Sequence, residues 1–388
     1  MNRIARSTPV FIGCILLLSA LATAVFLFGA VKITNSAQAE QPAATSSEQK
    51  VNLSPVLNLR SQLSGNPSSP STDDVEPISF WIYPGEPACN TKEELDTLGQ
   101  VYQLKPEFVT ITTTGDTEIL LEPETGCNAL TRTNADLYKS VSGSQFITVS
   151  AGAESLQQLL VDRSKMDSSI ELLVELTQQL DYTGVELDYE GYSSWTEEMY
   201  SGYKYYLQSL GDKLQSQGRE LMIDAPAIYN DGIQSVFQFK YEDMAELPVD
   251  WITMMAYDYQ YDFGGGAAVA PDDFLKSSIE RAKNELGSSQ SKLIIGLPTY
   301  GYTAAEGEYQ IKILTYEQIV AAIGDPEALD VKRLPDSQEL IYKNGQGDVY
   351  VFQDKQSLEH KIELVQDMGV EQISIWHLGG NVLPTIKK

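Results

Sequence analysis

The fold class that this sequence predicts is α/β, a (β/α)8 TIM barrel, and three observations carry it. Eight short apolar runs, at 78–83, 108–112, 146–150, 185–189, 221–225, 251–257, 293–297 and 373–376, read as strands. Stretches of helical period lie between them, the repeating order of a parallel α/β sheet. Residues 77–388 are also more than a small domain needs, and suit one large barrel better than two independent cores.

Taken in order, the chain begins with Arg3 and Arg6 ahead of an uncharged, mostly apolar run at 10–31, long enough to span a bilayer. The positive end is expected to stay in the cytoplasm. Ala37, Gln38 and Ala39 nevertheless have the small residues of a cleavage site. Residues 1–33 are thus expected to be a transmembrane anchor or a signal peptide, the anchor being favoured, and the body of the chain to be extracytoplasmic. Cys14 falls in the apolar run, which leaves Cys89 and Cys127 as an even pair expected to form a disulfide in an oxidising compartment. Residues 34–76 are rich in Ser, Pro, Ala, Gln and Asn and show no sustained apolar period. Such a composition buries too little surface to offset chain entropy, so a flexible linker is expected.

The folded unit is expected over residues 77–388. Ahead of its fourth strand, Ser168 and Glu171 mark a helix start, and Ile170, Leu173, Val174 and Leu180 give it an apolar stripe. After that strand, Ser194 and Glu197 form a capping-box pattern, Met199, Tyr203, Tyr206, Leu210 and Leu214 share one face, and Gly218 is the stop. The alternation breaks at about 303–354, after the seventh strand. That stretch holds a helix pattern at 316–323 and a hairpin signal at 340–352 turning near Asn344 and Gly345, so a small α+β insertion is expected. Twelve residues follow Trp376, too few for a long eighth helix, so the C-terminal end is short.

The densest chemical signal lies in the fourth strand. In Thr183-Gly184-Val185-Glu186-Leu187-Asp188-Tyr189-Glu190, acids occupy alternate positions and Val185, Leu187 and Tyr189 the others. A strand has a side-chain period of two, so the acids share one face. Successive acids are then about 7 Å apart, and like-charge repulsion opposes ionising all of them together. One is expected to keep a proton near neutrality, as a general acid must. Glu190 falls at the carboxyl end of its strand, where barrel enzymes carry their active groups. The competing reading is a solvated edge strand in a chain that is acidic throughout, with 54 Asp and Glu against 27 Lys and Arg.

Composition removes most other chemistries. The formal charge of −27 opposes a nucleic-acid partner. Two histidines and three cysteines, none at metal-ligand spacing, and no GxSxG turn argue against zinc hydrolysis and a histidine-dependent triad. The glycines at 264–266 lack the Lys and helix of a phosphate loop. What remains is chemistry by carboxylates and tyrosines, with no cofactor or metal expected, a monomer as the expected state, and membrane contact through the N-terminal segment alone.

The ordered motifs resemble glycoside hydrolase family 18, the chitinase-like enzymes. The segment 183–190 is similar to that family's DGxDxDxE signature, Met255-Ala256-Tyr257-Asp258 to its MxYD element, 296–302 to its seventh-strand segment, and Ser150-Ala151-Gly152 to its SxGG. Trp376 stands where the family has the tryptophan closing its eighth strand. Thr183 replaces the first Asp of the signature and Glu186 the second, a longer side chain that must reach Asp188 by another rotamer. The resemblance implies retaining hydrolysis of β-linked N-acetylglucosamine glycans, chitin-like or peptidoglycan, in which the sugar's own acetamido oxygen is the nucleophile. It implies Glu190 as the proton donor, Asp188 as the residue orienting the acetamido group with Glu186 supporting it, and Tyr257 as a hydrogen-bond donor to the acetamido oxygen. Met255 and Asp258 would line that subsite and Trp376 would floor it. A lectin-like barrel that binds sugar without turnover is the alternative. Trp81 and Tyr83 are read equally as sugar contacts or as core, and His377 is given no role.

Overall fold

The computed structural model describes residues 75–120, 129–130 and 132–386. Eight strands close a parallel barrel: β1 (Ile78–Ile82), β2 (Val101–Ile111), β4 (Ser142–Ala151), β5 (Gly184–Tyr189), β6 (Glu220–Pro226), β7 (Trp251–Met255), β8 (Leu293–Pro298) and β14 (Ile373–Leu378). Each pairs with the next, and β14 and β2 both pair with β1, which completes the ring. The strand β3 (Thr117–Ile119) adds antiparallel to the end of β2.

Register sorts the barrel lining into layers. Phe146, Met222 and Ile294 form a small buried cluster of their own with Trp251 packed on it, an apolar floor inside the ring. Two residues further along the same strands stand Thr148, Asp224 and Gly296, and beside them on β5 stands Glu186. The interior thus turns from apolar to ionic toward the carboxyl ends. On the other face of β5, Val185, Leu187 and Tyr189 are wholly buried in the main core, as their alternation predicts. The Tyr189 ring lies 6.2 Å from Tyr203 and 5.9 Å from Tyr206 on the helix Glu197–Gln215.

That helix buries the stripe read from sequence, Met199, Tyr203, Tyr206, Leu210 and Leu214. Its cap differs: Thr196, not Ser194, accepts from the Met199 amide, while Ser194 ends a short 3-10 turn, Tyr192–Ser194. The helix ahead of β5 runs Arg163–Leu180, and its cap Asp162, which accepts from the amides of Ser164 and Lys165, lies six residues before the expected start at Ser168. Polar residues in a first turn carry no apolar period, so a pattern search enters such a helix late.

The strand β2 also departs from expectation, starting at Val101 where 108 was expected. Lys105 and Glu107 interrupt the apolar pattern ahead of 108; both are buried in the structure. After β8 comes the insertion, a five-stranded antiparallel sheet of β9 (Gly301–Ala305), β10 (Lys312–Leu314), β11 (Lys332–Arg333), β12 (Leu340–Lys343) and β13 (Asp348–Phe352), with a helix at Tyr316–Ile323. Asn344 makes the expected turn, its side chain accepting from the amides of Gln346 and Asp348. Among the described residues no helix follows β14. The helix Glu86–Leu98 packs on both β1 and β14, and its Glu94 accepts from the amides of Gly379 (2.6 Å) and Gly380 (2.7 Å) just past β14.

The apolar run at 10–31, residues 34–74 of the expected linker and Cys127 lie outside the described residues. Among the described residues, no helix is long and apolar enough to cross a membrane. Cys89, on the helix Glu86–Leu98, is disulfide-bonded.

Candidate active site

At the carboxyl ends of the strands, side chains from the other strands gather around the acids of β5. Glu186 is deepest and wholly buried. Its Oε1 accepts from the Lys105 ammonium at 2.6 Å, and its Oε2 from Trp81 Nε1 at 2.8 Å and from Thr148 Oγ1 at 2.6 Å. The Lys105 Nζ also lies 3.2 Å from the centroid of the Trp81 ring, a cation–π contact. Glu186 therefore does not turn to Asp188, as the family comparison of signatures led one to expect. It is tied to β1, β2 and β4 instead.

Asp188 is half-buried one step nearer the mouth, and its Oδ1 is buried with no hydrogen-bond partner. Burial, then the charges of Glu190, Glu107 and Glu186, raise its carboxyl well above the usual range, against the opposing pull of Lys105. Asp224, on β6, is wholly buried, and burial followed by Glu186 and Asp188 raises it likewise, with a hydrogen bond shared with Glu186 adding to the rise. Burial and neighbouring like charges thus oppose ionisation at both carboxyls.

Glu190 follows β5, with its backbone amide donating to Ala151 and its carbonyl accepting from Trp195 Nε1. Its side chain is exposed to solvent. Desolvation by the residues around it, and then the Asp258 charge, push its carboxyl up to about 7. Glu107, opposite on β2, is pushed to about 7 as well, by burial first and by Glu190 and Glu186, against a hydrogen bond from Ser150.

The aromatic wall comes from β1, β7, β8 and β14. Tyr257 and Trp376 stack at 6.1 Å with their planes at 29°. Tyr300 meets Trp376 edge-on at 5.0 Å, and Tyr83 meets it at 6.0 Å. Trp376 keeps part of its surface open and precedes a cis peptide bond to His377. Tyr83 is also open, and burial followed by Glu107, Asp188 and Glu190 pushes its hydroxyl to about 12, so it is a donor at any working pH. Tyr257 is raised by burial and by Asp224, Asp188, Asp258 and Glu190, and stays protonated too. A glycine on β8 makes room for this ring: a Cβ at Gly296 would stand 3.3 Å from Tyr257 Cε1 and 3.0 Å from the Met254 carbonyl.

Asp258 has a left-handed backbone, φ 70°, which turns its carboxyl back to accept from Tyr300 and, at 2.9 Å, from Gln260. Met255 ends β7 partly buried against the main core. His377 is buried, its Nδ1 2.5 Å from the Leu378 carbonyl, and burial lowers it to about 4, so it is neutral. Among the described residues, no group of His, Cys, Asp and Glu is arranged to hold a metal.

The tertiary structure thus gathers Glu186, Asp188, Glu190, Tyr257, Asp258 and Trp376 at one end of the barrel. It adds Lys105, Glu107, Thr148, Asp224 and Tyr300, which sequence reading missed. The missing signal was inward parity: Lys105 and Glu107 lie two apart, as do Met222 and Asp224.

Residues 127–381 match the family model described as glycosyl hydrolases family 18. The cortical fragment-lytic enzyme of Bacillus subtilis is 23% identical over 232 residues, 57% of this chain and 52% of that protein. The chain spans about half or less of the length of the curated relatives it matches. Among solved structures, a chitinase from Chromobacterium violaceum superposes with a TM-score of 0.64 at 16% identity, covering 79% of this chain and 95% of that one. The spore cortex-lytic enzyme SleL of Bacillus cereus gives a TM-score of 0.64 at 17% identity, covering 79% and 72%.

Proposed function

This chain belongs to glycosyl hydrolases family 18, and from that premise we propose that it is a retaining, substrate-assisted glycosidase acting on β-linked N-acetylglucosamine glycans, chitin-like or peptidoglycan. The observation that carries this reading is the pairing on one face of β5 of Glu190, raised to about 7, with Asp188, whose buried oxygen awaits a donor. An unpartnered buried acceptor costs about 1–3 kcal/mol, an expense that a substrate N–H would remove.

In this reading the glycosidic oxygen takes the Glu190 proton as the bond to the anomeric carbon breaks. The acetamido carbonyl oxygen of the same sugar attacks that carbon, forming an oxazolinium-like intermediate. Asp188 accepts from the acetamido N–H and, as an anion, stabilises the positive ring. Tyr257 donates to the acetamido oxygen and holds it below the ring, with Trp376 as the apolar floor and Met255 and Asp258 lining the subsite. Glu190, now a carboxylate, takes a proton from water, which opens the ring from the opposite face. Two inversions give net retention.

The reading includes an extracytoplasmic location, supported by the disulfide at Cys89 and by the names of the relatives that lyse spore cortex. We assign Cys127 as the partner of Cys89, residues 1–33 as anchor or leader, and residues 34–76 as the linker. The alternative, a barrel that binds sugar without turnover, draws on Glu186, which gives Asp188 no bond.

Digestion of chitin oligomers and purified peptidoglycan, with product masses and anomers recorded, decides between them. The expected outcome is β-anomeric product from the wild type, and kcat reduced at least about 100-fold in Glu190→Gln with oligosaccharide binding kept. Binding without cleavage by the wild type establishes the alternative, and equal rates in the variant remove Glu190 from its role.

A further inference from the structure

Lys105 has no counterpart in the chemistry just described, yet it is the one cation among the described residues that is wholly buried within the acidic pit. Burial lowers its ammonium below the ordinary value, and the carboxyls of Glu186, Asp224 and Asp188 oppose that loss. Its position, 2.6 Å from Glu186 Oε1 and over the face of Trp81, suits a charged ammonium. With Trp81 and Thr148 on Oε2, both oxygens of Glu186 are engaged away from Asp188. Asp188 lies two residues on along the same inward face, its Oδ1 buried and unpartnered, while Asp224 on the next strand already shares a hydrogen bond with Glu186. If Lys105 were neutral, Glu186 would be a buried carboxylate without a counter-charge beside two acids. The cheapest relief would be to share a proton with one of them.

We propose that Lys105 is a positioning residue: by holding Glu186 against β1, β2 and β4, it keeps the Asp188 carboxyl free for the acetamido N–H of the substrate. This rests on the glycosidase reading above and deepens it. It also gives the Asp-to-Glu exchange at 186 a physical partner. The longer acid reaches a cation across the barrel, and restraint of Asp188 passes from a direct contact to the absence of one.

The test compares wild type, Lys105→Met and Lys105→Arg in hydrolysis of chitotetraose. Lys105→Met is expected to lose kcat at least about tenfold while KM changes less than about threefold, because what it loses is the placement of a reacting group. Lys105→Arg keeps the cation beside Glu186 and is expected to recover kcat to within about threefold of wild type. A Lys105→Met variant as fast as wild type overturns the inference. If Lys105→Met does not fold, Lys105→Arg decides: a tenfold loss with Glu186 still held on the guanidinium overturns it. Crystal structures of the variants read the inference without turnover, so it survives or falls even if the wild type cuts no glycan. In Lys105→Met, Glu186 is expected to turn within hydrogen-bond distance of Asp188. Glu186 still on Trp81 and Thr148, with Asp188 unpartnered, overturns it.

Discussion

Glu190 and Asp188 show how one motif yields two environments. Both carboxyls are raised, but Glu190 is exposed to solvent while Asp188 carries a sealed, unpartnered oxygen. A general acid works only while protonated, and raising its pKa extends that form to higher pH. An unperturbed Glu would lose its proton between about pH 4 and 5. With Glu190 near 7, kcat/KM is expected to hold from about pH 5 to 7 and to fall as pH rises beyond 7. A pH profile on a fluorogenic N-acetylglucosamine oligomer checks this; a decline already complete by pH 5 would remove the proposed role. The spacing of the three acids was open to reading in the sequence because a strand's period needs no partner to be seen. Lys105 was not, since a lysine between Leu104 and Pro106 looks like a strand end until a carboxylate from another strand is found beside it.

Among elements, the helices were legible through their apolar faces and obscure at their starts. The stripe on Glu197–Gln215 depends on which residues are buried, and apolar period reports that. Which hydroxyl caps the helix depends on local backbone geometry, and Ser194 and Thr196 differ little on paper. The structure gives Thr196 the bond to Met199. Thr196→Ala is accordingly expected to cost about 1 kcal/mol in urea unfolding, and Ser194→Ala less than half of that. Equal losses would return the cap to the earlier serine. In β2 the error ran the other way. Its first half buries Gln103, Lys105 and Glu107, so hydropathy hides a strand that hydrogen bonding to β1 and β4 makes certain.

For the molecule as a whole, a buried charge helps to join the insertion after β8 to the loop that follows β7. Glu339 accepts from the amides of Val269 (2.7 Å) and Ala270 (2.9 Å), and Lys361 lies 3.2 Å from the same carboxylate, both side chains fully buried. Lys361 donates in addition to the Ser337 carbonyl at 2.6 Å. Removing the acid strands the cation and two amides in the interior. Glu339→Ala is therefore expected to destabilise the fold by about 3–5 kcal/mol, read by urea unfolding, and a cost below about 1 kcal/mol would show the joint to be dispensable.

Sequence alone determined the barrel, the place of the insertion, the acidic face of β5 and the order of the motifs along the chain. These follow from periodicity and spacing, which are local and survive without coordinates. The tertiary structure alone decided that Glu186 answers to Lys105, Trp81 and Thr148, that Asp224 joins the acids from the next strand, and that Asp188 is left without a partner. The reason is distance in the chain: Glu186 meets groups 81, 105 and 38 residues away, and closure of the ring brings them together.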